Sequence, residues 1–250
     1  MQKEPTDPST YINPLPLPPK DYKSLSDLPV VKYGCDSLYA IDPRFKHLAT
    51  DYSSAADLVE KAIKPLLYDG EWIHPVTDNR IELCFTGGEP MMQQQALIDI
   101  MKEVDVIGNS IKVQIETNAT KPLDKKFVEY VIAEQPNIHF NMSPKLWHVS
   151  GEGDAVNYHI IKAYHDLTKS SILKFVINND DEAWDELNKH VNQLRDFGVT
   201  VPTYVMPVGA TKEQQEDSLV IKMIAERAVK EGYHVSGRLH CILWGNGMGV

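Results

Sequence analysis

The chain has 250 residues, 42% of them hydrophobic and 24% charged, with a formal net charge of −10. That is enough apolar material for one α/β domain with a sizeable core, and the acidic balance argues against wrapping nucleic acid, which needs a basic face. Three cysteines without a close pair exclude a secreted disulfide framework, and neither a membrane-length apolar run nor a signal-peptide pattern is present, so a cytoplasmic protein with a small-molecule ligand is expected.

Residues 1–29 hold seven of the sixteen prolines, namely Pro5, Pro8, Pro14, Pro16, Pro18, Pro19 and Pro29. Such density blocks helix and central strand, so an irregular, mostly extended surface segment or a disordered tail is expected, followed by a domain over 30–250. Val30 to Tyr33 is short and apolar, and Gly34-Cys35-Asp36-Ser37 follows it. Cys35 reads as a small buried residue or as a loop metal ligand, the former being the commoner fate of a single cysteine. Asp42 to His47 is turn-like. Ser53-Ser54 predicts the cap of a helix carrying Leu58, Val59, Ile63, Leu66 and Leu67, closed by Asp69-Gly70. His74, in the loop beyond, has no partner at metal-ligand spacing and reads as a surface histidine.

Ile81 to Phe85 predicts a short buried strand, which stops at Thr86-Gly87-Gly88-Glu89-Pro90. Proline suits the first turn of a helix, and Leu97, Ile98, Met101 and Val104 give the run Met91 to Val106 a helical apolar face. Glycines in the turn let a ligand approach the backbone, and Glu89 offers an acceptor. Further on, the pattern predicts strands at Ile111–Ile115, Asn137–Met142, Ile172–Ile177, Val199–Val205 and Val235–Leu243. Between them come helices at Lys125–Ala133, Tyr158–Leu167, Asp180–Phe197 and Glu213–Glu231, the last closed by Gly232. Trp184, Leu187, Val191 and Leu194 mark the buried face of the third of these. The alternation implies mostly parallel strands, about six in number, and a partial, open β/α barrel ahead of a doubly wound sheet.

Polar clusters fall at the C-terminal ends of these strands: Thr86 to Glu89, Glu116-Thr117-Asn118, Ser143-Pro144-Lys145, Asn178 and Met206-Pro207. Ligands bind at that end in barrel and parallel α/β folds. Serine, asparagine, glycine and proline are ordinary in turns, but Glu116 and Lys145 are charges that must be paired or solvated there.

Thr86-Gly-Gly-Glu-Pro90, Glu116-Thr-Asn118 and Ser143-Pro-Lys145 at successive strand ends resemble radical S-adenosylmethionine (SAM) enzymes. The ending Gly237-Arg238-Leu239-His240-Cys241-Ile242-Leu243-Trp244-Gly245-Asn246 is similar to that of the 7-carboxy-7-deazaguanine synthases. The resemblance runs from about residue 29 onward. It implies a radical SAM partial barrel, a [4Fe–4S] cluster, SAM and Mg²⁺, and a lyase of queuosine and 7-deazapurine biosynthesis. The implied reaction converts 6-carboxy-5,6,7,8-tetrahydropterin to 7-carboxy-7-deazaguanine with loss of ammonia. An electron donor such as flavodoxin and a homodimer are implied too, with no nucleic acid and no membrane partner.

By the same resemblance, Gly87, Gly88, Glu89 and Pro90 would hold the methionyl end of SAM. Glu116, Asn118, Ser143, Pro144 and Lys145 would contribute further SAM contacts, and Met206, Pro207, Val208 and Gly209 would border its adenosine. Thr86, His240 and the Val250 carboxylate would face the pterin, with Trp244 anchoring a glycine turn that carries the chain end to it. Cys35 would ligate the cluster and the Ser37 hydroxyl would help to hold Mg²⁺. No residue is assigned as catalytic. The family's cluster loop has two further cysteines, which this chain does not match, and Cys84 and Cys241 lack the loop spacing. The expectation is that Met1 is an internal methionine, that an N-terminal part is missing, and that the chain as given is inactive. A non-catalytic relative that binds SAM or a pterin remains open, as does an activating enzyme acting on a protein glycine, against which Arg238-Leu-His240 argues.

Overall fold

The structure, a computed structural model, describes residues 15–29, 38–108, 110–153, 155–209 and 211–245. Cys35, Ser37, the Val30 to Tyr33 run and Val250 lie outside them. Among the described residues six strands, β1 Leu83–Phe85, β2 Val113–Thr117, β3 Ile138–Met142, β4 Ser171–Ile177, β5 Thr203–Pro207 and β6 His234–Val235, form one sheet in the order β1-β2-β3-β4-β5-β6. β1 pairs parallel with β2, β2 with β3, β4 with β5 and β5 with β6. A doubly wound sheet reverses its strand order at a switch point. This sequential order does not, so the α/β sheet is of the partial, open β/α barrel kind.

The helices are α1 Leu38–Ile41, α2 Ala55–Leu58, α3 Gln94–Val104, α4 Lys125–Glu134, α5 Trp147–Ser150, α6 Tyr158–Thr168, α7 Asp181–Asp196, α8 Lys212–Gln215, α9 Ser218–Glu231 and α10 Leu239–Trp244. Two compact units divide the chain. One comprises Thr50–Met142 and Tyr158–Ile172, the other Met1–Ala49, Ser143–Asn157 and Leu173–Val250.

In the first unit the predicted face of α3 is buried, with Leu97, Ile98, Met101 and Val104 all inside. The helix is shorter than its apolar run. Pro90–Gln93 forms a 3-10 turn ahead of it, and Asp105 ends it in the left-handed region (φ 54°). The buried Gln94 side chain donates to Met91 O and Pro122 O and accepts from the Asp124 amide, tying α3 to the entry of α4. Phe140 of β3 stacks on Tyr164 of α6 at 4.8 Å between centroids. The predicted 55–67 helix is broken up instead. α2 gives way to a π turn at Val59–Ile63 and a 3-10 turn at Lys64–Leu66. Pro65 is the cause, since it lacks an N–H and its ring clashes with the carbonyl four residues back.

In the second unit α7 buries Ala183, Trp184, Leu187, Val191 and Leu194. Trp184 donates through Nε1 to Asn178 O (3.0 Å), and the Arg227 guanidinium lies 4.7 Å from its ring. Around the other predicted boundaries the chain differs. β5 starts at Thr203, directly after Pro202 and four residues later than the expected Val199, and it runs on through Met206 and Pro207. The single helix expected over 213–231 is α8 plus α9, because Asp217 caps a fresh helix by accepting from the Val220 amide. The strand expected over 235–243 is only β6. Leu239–Trp244 is helical, with Cys241 inside and Leu239, Leu243 and Trp244 exposed. Gly245 (φ 63°) is the left-handed stop of that helix. Trp244 is therefore not a buried anchor, at 57% exposure.

Residues 15–29 carry two 3-10 turns, Pro19–Asp21 and Leu25–Asp27. Tyr22 and Leu28 pack with Tyr39 and Phe45 in a small core. The Tyr39 hydroxyl donates to Pro29 O (2.9 Å), and Tyr39 meets Phe45 edge-on at 4.9 Å. This stretch is irregular as expected, yet it is packed rather than loose.

Trp184 is fully buried, so Trp184→Ala is expected to destabilise the protein by about 3–5 kcal/mol. Urea unfolding of the two proteins checks this.

Candidate functional site

The turn after β1 is built on glycine geometry. Gly87 and Gly88 both have positive φ (82° and 46°), a region that side chains disfavour. A Cβ on Gly87 would meet no atom within 4 Å, so conformation rather than crowding demands glycine, and the backbone there faces open space. Thr86 is exposed, and Pro90 is buried as the first residue of the 3-10 turn.

Glu89 holds this turn. One carboxylate oxygen, Oε1, accepts from the Met91 amide (3.1 Å) and the Thr117 hydroxyl (2.6 Å), and Oε2 accepts from the Asn118 amide (2.8 Å). A carboxylate has about four lone-pair positions, so the protein itself occupies three of them. Glu89 is thus first a strap between the β1 turn and the end of β2. The Asn118 side chain is committed as well. Its Oδ1 accepts from the Thr120 amide and hydroxyl, closing the next turn.

Beneath these strand ends one face of β1, β2 and β3 is polar. Registry places Cys84 beside Gln114 and Gln114 beside His139, with Glu116 beside Asn141 in the next row. Gln114 Nε2 and Asn141 Nδ2 both donate to Glu116 Oε1, at 2.8 and 2.6 Å. His139 Nδ1 lies 2.9 Å from Ser170 Oγ. The Asn141 amide is oriented by this arrangement. A carboxylate accepts, so Nδ2 faces Glu116, and the buried Oδ1 has no well-formed hydrogen bond among the described residues. The alternate residues Val113, Ile115, Ile138 and Phe140 are buried. Of this network the strand-end pattern in the sequence points only to Glu116. The signal for the rest was the polar alternation Gln114, Glu116 and His139, Asn141 within otherwise apolar strands.

In the second unit Ser143 Oγ donates to Lys174 O (2.8 Å), Pro144 is buried, and Lys145 is half-buried with no ion pair or hydrogen bond among the described residues. Met206 and Pro207 are buried at the end of β5, while Val208 is exposed. At Gly209 crowding is decisive, because a Cβ would lie 2.8 Å from Gln214 Cβ. The buried Gln215 amide donates to Pro207 O and Gly209 O, and Arg238 Nη1 donates to Gly209 O (2.9 Å). Arg238 thereby brings the segment bearing the exposed His240 against the 206–209 turn.

Two outcomes test these contacts. Glu89→Gln puts an NH₂ group where donors converge, so stability should fall by about 1.5–3 kcal/mol, read from chemical unfolding. Burial holds His139, His165 and His190 below the usual histidine value of 6.5. The unfolded chain then binds protons that the folded one refuses, so the stability these neutral histidines contribute is full above pH 6.5 and is lost as the pH falls through their folded values. The urea midpoint at pH 5.5 should lie below that at pH 7.5, and His139→Gln should lessen the difference.

No family model matches the chain. Two curated proteins are similar to it, both called 7-carboxy-7-deazaguanine synthase. The one from Pyrobaculum aerophilum is 26% identical over 166 residues, covering 66% of this chain and 65% of that protein. The one from Thermoplasma acidophilum is 27% identical over 170 residues, covering 67% of this chain and 69% of that protein. The match thus spans about two thirds of the length of these relatives, and over that span the chain resembles 7-carboxy-7-deazaguanine synthases.

Proposed function

We propose that the chain binds SAM and a reduced carboxypterin, and that its site is of the kind that converts 6-carboxy-5,6,7,8-tetrahydropterin to 7-carboxy-7-deazaguanine with loss of ammonia. The observation that carries this reading is the left-handed Gly87-Gly88 turn, open on one side and strapped by Glu89 to the Glu116-Thr-Asn118 strand end. Gly87, Gly88 and the remaining acceptor position of Glu89 suit the amino-acid end of SAM. Half-buried Lys145 suits its carboxylate. The 206–209 turn suits the adenosine, and Thr86, His240 and Val250 are assigned to the pterin. Ser37 keeps the oxygen that Mg²⁺ prefers.

A [4Fe–4S] cluster, held by three thiolates, supplies such enzymes with the electron that starts radical chemistry. The described cysteines do not fit it. Cys84 lies on β1 with Gln114 Nε2 3.9 Å from its sulfur, and Cys241 is fully buried in α10. Among the described residues no group of three or more His, Cys, Asp or Glu is placed to hold a metal ion, and the whole chain has three cysteines. This shortage favours a second reading, in which the chain binds SAM or the pterin without radical chemistry.

Titration calorimetry with SAM and with the carboxypterin, and iron analysis after anaerobic reconstitution, separate these readings. Saturable SAM binding with iron well below cluster stoichiometry is expected of this chain. A near-stoichiometric cluster that cleaves SAM to 5′-deoxyadenosine would overturn the binding-only reading. Failure to bind either ligand would overturn both.

A further inference from the structure

Ser143-Pro144-Lys145 is followed at once by α5, a helix of a single turn whose N-cap residue, Leu146, has no side chain able to accept a hydrogen bond. The first amides of such a turn are orphan donors. Here a carboxylate from another helix takes them. Glu186, in the middle of α7, accepts from the Trp147 amide through Oε1 (2.7 Å) and from the His148 amide through Oε2 (2.9 Å), and the His148 ring Nδ1 lies 2.9 Å from the same Oε2. His190, one turn along α7, brings Nε2 to 3.6 Å from Oε1.

The Glu186 side chain is only 13% exposed. A carboxylate so placed is costly unless its partners are well aligned. Burial pushes its carboxyl up, the hydrogen bonds from His148 and Trp147 pull it down, and the net position is below the usual glutamate value. At the other end of the segment, Ser143 is fixed to Lys174 O on β4, and Leu146 is buried. Lys145 sits between these two fixed points. It is a half-buried cation with no ion pair or hydrogen bond among the described residues.

We infer that Glu186 is a positioning residue: by gripping the start of α5 it sets Lys145 to receive the carboxylate of a bound small molecule. This rests on the assignment of Lys145 to the carboxylate of SAM. A mobile lysine would be solvated equally well with or without a ligand. One whose flanking backbone is held at both ends loses less freedom on pairing, which raises affinity without a new contact.

The test compares SAM with decarboxylated SAM, which keeps the ammonium and sulfonium but lacks the carboxylate. Affinities of the folded chain are measured well below its unfolding temperature. The unaltered chain should prefer SAM by tenfold or more, and Lys145→Ala should abolish that preference. Glu186→Gln should reduce the preference several-fold while leaving affinity for decarboxylated SAM unchanged, and it should speed hydrogen exchange of the Trp147 and His148 amides. Should Glu186→Gln not fold, Trp147→Pro serves instead. Proline is favoured at the first position of a helix, the preceding Leu146 is already extended (φ −89°, ψ 135°), and the change removes the amide donor to Glu186 together with an indole that is 44% exposed. A preference for SAM that survives both variants overturns the inference alone. An unaltered chain that binds SAM no better than the decarboxylated form overturns the assignment of Lys145 and the inference with it.

Discussion

A strand of a parallel sheet ends with amides and carbonyls that no neighbouring strand satisfies, and the loop beyond must find partners for them or leave them to water. In the first unit the answer is the Glu89 carboxylate. Its three donors come from its own turn and from the end of β2. The left-handed glycines, the buried Pro90 and the entry to α3 depend on that strap, since without it the turn would be a free loop after a three-residue strand. Asn118 and Thr117 extend the same hydrogen-bonded system into the following turn.

The second unit solves the same problem with other side chains. Gln215 and Arg238 converge on the carbonyls of the 207–209 turn, and Glu186 converges on the amides of α5. Gln215 and Glu186 arrive from helices, and Arg238 from the residue that precedes α10, rather than from the loops they hold. That arrangement leaves the loops' remaining groups, such as the Lys145 ammonium, for other uses. It also explains why the exposed residues of these turns are few and specific, Thr86 and Val208 among them.

Much of this was legible in the chain. The apolar face of α3, the core face of α7 around Trp184, the strand ends and the sequential α/β alternation follow from periodicity alone. What was not legible has physical reasons. Pro65 turns the later part of a helix whose apolar spacing is otherwise good into π and 3-10 turns. Leu239 to Trp244 is mostly apolar and too short to show a helical period, and Gly245 acts as a helix stop rather than as part of a tight turn. Glu89 and Asn118 looked like groups offered to a ligand because sequence does not show which lone pairs neighbouring amides already occupy. Gln114, His139 and Asn141 escaped notice because they lie within strands, and Glu186 because its target is almost forty residues earlier in the chain.

The strand order has a consequence for how the protein is made. Each strand's neighbour is the one synthesised just before it, at the roughly 30-residue spacing of a βαβ unit. A doubly wound sheet must hold one edge of its first strand open until the segments beyond its switch point emerge. Here a growing chain can dock each new strand on an edge already formed, so the direction of translation and the direction of sheet growth coincide. The edge that receives each new strand is always the strand made last, which limits the time that edge is available for misassembly on the ribosome.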